Sequence, residues 1–121
     1  MRTKKFRIWD IETKQFFYWA ISEQCPACLT RKYIEENTED FIDIKDKNKI
    51  DIYEGDIIKA NLPYGNTFIV KWDEDRASFM LVGATESDFA AYDTHGYKLN
   101  AGKKEIIGNI HENKYLLHRK E

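Results

Sequence analysis

Proline and cysteine are scarce in this chain of 121 residues, two of each, and glycine occurs only six times. Against that scarcity stand seven Tyr, seven Phe and three Trp. The mixture favours strands, because aromatic side chains pack well on a pleated surface. With a single cysteine pair, there is no second pair to complete the four ligands of a structural zinc. Charge of one sign is lacking too: 19 basic residues oppose 21 acidic ones, a formal charge of -2. That balance argues against general electrostatic adhesion to nucleic acid and leaves only a local basic patch open. The basic start Met1-Arg2-Thr3-Lys4-Lys5 is followed by Phe6, Ile8 and Trp9 alternating with polar residues, not by an apolar run. Neither a signal peptide nor a membrane span is expected, and the cytoplasm is the default compartment.

The hydrophobic fraction is 42% in a 14.4 kDa chain, enough for one ordinary core and fitting one domain with at most a small appendage. Residues 6–11 read as a strand, 10–14 as a turn and Gln15–Ala20 as a second strand, giving a hairpin with rings on both faces. Two strands alone are marginal, so this hairpin must pack on the rest of the chain or on another copy. Residues 30–37 are read as a short helix or irregular segment capped by Thr30, with a thin apolar face, and the strand pattern resumes over 41–44. The polar turn from Ile44 leads through Ile52 and Tyr53 to a Gly55-Asp56 corner. From that corner the pattern predicts strands over 56–60, 67–72, 77–82 and 105–111. The Pro63-Tyr64-Gly65-Asn66 turn and the charged 73–76 loop separate the first three, and 83–104 is the longest loop. Short strands with tight turns suit a small barrel, in which closure removes exposed edges.

Cys25-Pro26-Ala27-Cys28 is the sharpest chemical signal. Two cysteines three apart can hold one side of a zinc, form a redox disulfide, or stay reduced and inert. Zinc is therefore the one candidate cofactor, with His95, His111, His118 or a neighbouring copy left to complete the shell. A thioredoxin-like role lacks its βαβ surroundings. Trp9, Phe17, Trp19, Tyr64, Trp72 and Tyr92 form the candidate interaction surface. They can act as a stacking platform for single-stranded nucleic acid or as a peptide groove, or, more plainly, as core and subunit contacts. Lys59, Lys71 and Arg76 favour a nucleic acid there, whereas Asp73, Glu74 and Asp75 repel phosphate.

His95 stands beside Asp93, but Ser78 and Ser87 lie in no nucleophile motif. No catalytic residue is assigned, and the chain is read as no enzyme. Asp56 is expected to accept backbone N–H groups at the corner, and Gly108-Asn109 to mark a bulge or turn. His111 and His118 are expected to decorate a surface strand and tail.

Three runs together carry a resemblance: Lys5-Phe6-Arg7-Ile8-Trp9-Asp10; the central Ile44-Lys45-Asp46-Lys47-Asn48-Lys49-Ile50-Asp51-Ile52-Tyr53-Glu54-Gly55-Asp56-Ile57-Ile58; and the closing Ile106-Ile107-Gly108-Asn109-Ile110-His111-Glu112-Asn113. In content and order they resemble the YopX family, proteins of bacteriophages and prophages of low-GC Gram-positive bacteria. The central run is the most specific of the three, and Cys25 and Cys28 lie outside the match. The resemblance implies an SH3-like barrel and self-association, and transfers no catalytic or ligand-binding residue.

The expectation is thus a mainly β protein. An N-terminal β-hairpin with a short helical or irregular insert occupies residues 1–40, and an SH3-like small β-barrel with a C-terminal tail occupies 41–121. The leading functional reading is a non-enzymatic phage accessory protein that acts, in the host cytoplasm, through contact with a phage or host protein and with its own copies as a homo-oligomer. The alternatives are a nucleic-acid-binding module and a zinc-binding or thiol-based redox protein using Cys25 and Cys28.

Overall fold

The structure, a computed structural model, describes residues 4–21, 23, 30–62, 65–84, 91–93 and 104–117. It is mainly β, with two antiparallel sheets, a single short α-helix and a 3-10 turn at Lys114–Leu117 among the described residues. The first sheet holds β1 (Lys5–Asp10), β2 (Gln15–Ala20), β3 (Glu39–Lys45) and β4 (Asp51–Tyr53) in the order β2-β1-β3-β4. The second holds β5 (Asp56–Leu62), β6 (Gly65–Asp73), β7 (Ser78–Gly83), β8 (Ala91–Asp93) and β9 (Glu105–Asn109) in the order β8-β7-β6-β5-β9.

The β1–β2 hairpin pairs from Lys5↔Ala20 to Asp10↔Gln15. Side chains alternate across a strand, so Phe6, Ile8, Phe17 and Trp19 share one face and Arg7, Trp9, Phe16 and Tyr18 the other. Helix α1 (Arg31–Asn37) starts where Thr30 accepts a hydrogen bond from the Tyr33 N–H, the N-cap expected of that threonine. It buries no residue fully, and the Tyr33 hydroxyl fastens it to β1 by donating to the Trp9 carbonyl at 2.6 Å.

β3 joins the two halves of the chain. Glu39 and Asp40 pair with β1, and Phe41 and Lys45 with β4. The register shifts between them at Asp43, which adopts φ 70, a bulge that bends the strand. The strand therefore runs through the boundary expected at residues 40–41. Its bent half brings Ile42 over the second sheet, where Ile42 and Ile52 pack with Ile58, Ala60, Phe68, Val70 and Leu81 in the core.

The small barrel expected from sequence takes the form of a half-barrel: the second sheet curls, and the β3–β4 hairpin covers its inner face. Among the described residues no pairing joins its edges β8 and β9. β4 and β8 are strands where the sequence pattern showed a turn and a loop. Both are three residues long, too short for a period to register. The expected bulge near Gly108 is present: Ile57 pairs with Gly108 and Ile58 with Ile106, leaving Ile107 as the extra residue on β9. No helix among the described residues is long and apolar enough to cross a membrane.

Phe68 is wholly buried, whereas Lys59, on the adjacent strand, is exposed. Phe68→Ala is expected to lower stability by roughly 3–5 kcal/mol and Lys59→Ala by less than about 0.5 kcal/mol, read as urea midpoints at constant slope.

Candidate functional site

A charged network sits where the two sheets meet. Arg7, in the middle of β1, is 4% exposed. Its Nε donates to Glu39 Oε1 at 2.7 Å, its Nη1 lies 2.9 Å from Asp56 Oδ1, and its Nη2 donates to the Glu54 carbonyl at 3.1 Å. The guanidinium also lies 4.1 Å from the centre of the Phe16 ring and 5.0 Å from that of Tyr53, within the range of cation–π attraction. Every edge of this cation is therefore occupied.

The other oxygen of Glu39 meets His111 Nε2 at 2.8 Å. The imidazole stacks on Trp9 with centroids 5.3 Å apart and planes 7° apart. His111, expected on the surface, is instead half-buried and reaches back across the chain to the first sheet, because the turn after β9 is closed by Asn109. The Asn109 side chain accepts from the N–H groups of His111 and Glu112 at 3.0 and 2.9 Å.

Backbone geometry forces these groups together. Gly55 adopts φ +91, and a Cβ there would stand 2.8 Å from Glu39 Oε2. Only glycine allows both the turn and the approach of that carboxylate. Asp56 accepts the Tyr53 N–H at 2.8 Å, as expected of a corner carboxylate. Burial pushes its pKa up to about 6 even though Arg7 and the Tyr53 N–H favour the ionised form. Burial likewise pushes the Tyr53 phenol up to about 12, helped by Asp51.

Beside Arg7 lies a cleft of about 540 Å³. Phe16, Tyr18 and Tyr53 line it together with Ile106, Gly108 and Asn109 of β9, and the buried Arg7 and Asp56 form its floor. Tyr18 and Ile50 stay open there, 59% and 53% exposed. At the rim, Asp51 is bonded to both Lys5 and Lys45.

Of the aromatic residues selected from sequence, the structure brings few together. Trp9 is on the network face of the first sheet, while Phe17 and Trp19 are on the opposite face, Trp19 against Phe6 at 5.6 Å. Trp72 stands on β6 against Phe79 at 5.0 Å, its indole N–H donating to Glu74. Tyr92 is placed in β8 opposite Leu81, and Tyr64 lies outside the described residues.

Cys25, Cys28, His95 and His118 also lie outside the described residues. The zinc expectation is corrected on the remaining ligands: among the described residues no group of three or more His, Cys, Asp or Glu could hold a metal ion, and His111 is engaged by Glu39 and Trp9. Arg7, Phe16, Tyr18, Glu39 and Tyr53 were not selected from sequence. One signal was available, a lone arginine inside an aromatic strand. The carboxylates it meets are far off in the chain, and no local pattern points to them.

Fold and cleft together define a small two-sheet β protein whose halves are joined by buried ion pairs. The model of the family described as YopX protein matches residues 5–118, and the chain belongs to that family, with the bacteriophage and prophage setting this carries. Among solved structures, the chain is similar to the crystal structure of protein EF1440 from Enterococcus faecalis. The TM-score is 0.56 at 21% identity, covering 97% of this chain and 99% of that one, a likeness of fold. None of the curated proteins compared matches the chain.

Arg7→Met leaves two buried carboxylates without their cation, and a loss of about 3–5 kcal/mol is expected in chemical unfolding. A second expectation concerns pH. The folded pKa of Asp56 is raised, so the native state binds this proton more tightly than the unfolded chain does. The stabilising contribution is full below the unfolded pKa and is lost as pH rises through about 6. Relative to wild type, Asp56→Asn should therefore gain about 2–3 kcal/mol between pH 4 and pH 7, whatever its offset at either end. Paired urea titrations across that range measure the difference, from which the carboxylates remote from Asp56 cancel.

Proposed function

We propose that this protein is a non-enzymatic phage accessory protein that works in the host cytoplasm by binding: a partner protein in the cleft between its sheets, and its own copies along β2. The observation that carries the reading is the contrast within the cleft. Its floor charges are committed to one another, whereas its walls leave Tyr18 and Ile50 open to solvent. Groups already saturated by internal partners position a surface and are poorly placed to move protons on a substrate, while exposed rings around a concavity suit recognition. We read the curled second sheet and the β3–β4 hairpin as an SH3-like barrel, a fold that hosts many functions and so supports the binding role only in general terms.

Self-association draws its support from β2, the outermost strand of the first sheet. The Ile21 N–H bonds to the Lys4 carbonyl, so by alternation the N–H groups of Phe16, Tyr18 and Ala20 point away from β1. Glu23 caps that of Ala20 at 2.7 Å. The strand Gln-Phe-Phe-Tyr-Trp-Ala carries no charge and no proline, the devices that normally keep an edge from pairing.

Nucleic-acid binding is the second reading. It rests on a separate groove of about 450 Å³, where Lys4 and Lys5 meet Phe6, Phe41 and Trp72, with Asp40 and Asp43 opposing phosphate on the same walls.

Native mass spectrometry of untagged protein at several concentrations tests the choice. The expected outcome is an oligomer without oligonucleotide, reduced to monomer by Tyr18→Pro, which removes no hydrogen bond to β1 and blocks edge pairing. A monomer at every concentration refutes self-association. A copurified oligonucleotide released steeply by salt favours the second reading.

A further inference from the structure

Resting on the reading of the cleft as a protein-binding site, we infer the chemistry of what enters it: a basic side chain, lysine or arginine, carried on an extended segment of the partner. The chain itself demonstrates how these groups hold such a cation. Arg7 lies against the rings of Phe16 and Tyr53 with carboxylates on its edges. The same materials continue outward from it. Tyr18 meets Tyr53 edge to face at 5.6 Å and Phe16 at 5.9 Å, so three rings form one connected wall. The exposed Glu112 lines the same cleft and accepts a hydrogen bond from Asn109 Nδ2 at 2.9 Å.

Charge complementarity selects the ligand. Three carboxylates line the cleft: Lys5 and Lys45 hold Asp51 and Arg7 holds Asp56, which leaves Glu112 to set the sign at the mouth. Arg7 has Nε, Nη1 and Nη2 all engaged, on Glu39, Asp56 and the Glu54 carbonyl. An incoming carboxylate or phosphate therefore finds no free guanidinium edge and faces like charge. An incoming ammonium or guanidinium finds the open ring of Tyr18, whose quadrupole attracts a cation, and the carboxylate of Glu112 at the mouth. At about 540 Å³ the cleft falls within the usual range of ligand sites and is larger than one long side chain requires. Flanking backbone of the partner can lie along Tyr18 and Ile50, the open positions of the wall.

The test is a ¹⁵N chemical-shift titration of the full chain with three capped hexapeptides, identical except for arginine, citrulline or glutamate at the centre. The arginine peptide is expected to give saturating shifts at Tyr18, Tyr53 and Ile106, with the citrulline peptide about tenfold weaker and the glutamate peptide weaker still. Tyr18→Ala and Glu112→Gln, both at exposed positions, should each weaken the arginine peptide about fivefold. Trp72→Ala, in the other groove, should leave its affinity unchanged. Equal saturation by the arginine and citrulline peptides overturns the cation assignment and leaves the peptide-binding reading standing. No cleft shift with any of the three overturns both. Shifts at Tyr18 and Tyr53 from an oligothymidylate in place of the peptides overturn the assignment in favour of nucleic acid.

Discussion

The architecture depends on one buried guanidinium. Arg7 stands on the first sheet, and the carboxylates it holds come from β3 and from the first residue of β5, so a single cation belongs to both sheets at once. Burying any of these charges alone is strongly unfavourable. Together they are tolerable because each oxygen and each nitrogen finds a partner, and no buried side-chain polar atom among the described residues lacks one. The rings of Phe16 and Tyr53 against the guanidinium add attraction of their own.

A second carboxylate performs a similar service at the far end of the β3–β4 hairpin. Asp46 accepts the N–H groups of Asn48 and Ile50 through one oxygen and that of Ile106 through the other. Burial alone would raise its pKa, and these hydrogen bonds more than reverse that effect, leaving it lowered. The hairpin is thus anchored at both ends, to β9 through Asp46 and to β1 through the Arg7 network. The cleft lies between these two anchors. Its walls are held by polar contacts that are satisfied internally, so the open Tyr18 and Ile50 are presented by a frame that need not rearrange to receive a ligand.

Much of this frame was legible in the chain. The β1–β2 hairpin, the Thr30 cap, the Gly55-Asp56 corner and the bulge beside Gly108 each follow from a short run of residues whose local chemistry admits few alternatives. Closure was less legible. Alternation predicts strands but not whether their edges meet, and two strands were too short to show alternation at all. The site was the least legible part. Glu39 and His111 are separated by 72 positions in the chain, and neither has neighbours that distinguish it from an ordinary surface residue. Aromatic content alone could not assign the rings to faces. Register did that, placing Trp9 with Phe16 and separating it from Phe17 and Trp19.

The placement of the ion network along the chain also sets the order in which it can be completed during synthesis. Arg7 is synthesised before Glu39, and His111 follows Glu39 by 72 positions. Until then the N-terminal strands carry the aromatic face and the charged groups without the turn that covers them. A nascent chain of this protein therefore holds the aromatic β1–β2 hairpin uncovered until His111 has been added, an interval in which misassembly with neighbouring chains on the same message is favoured.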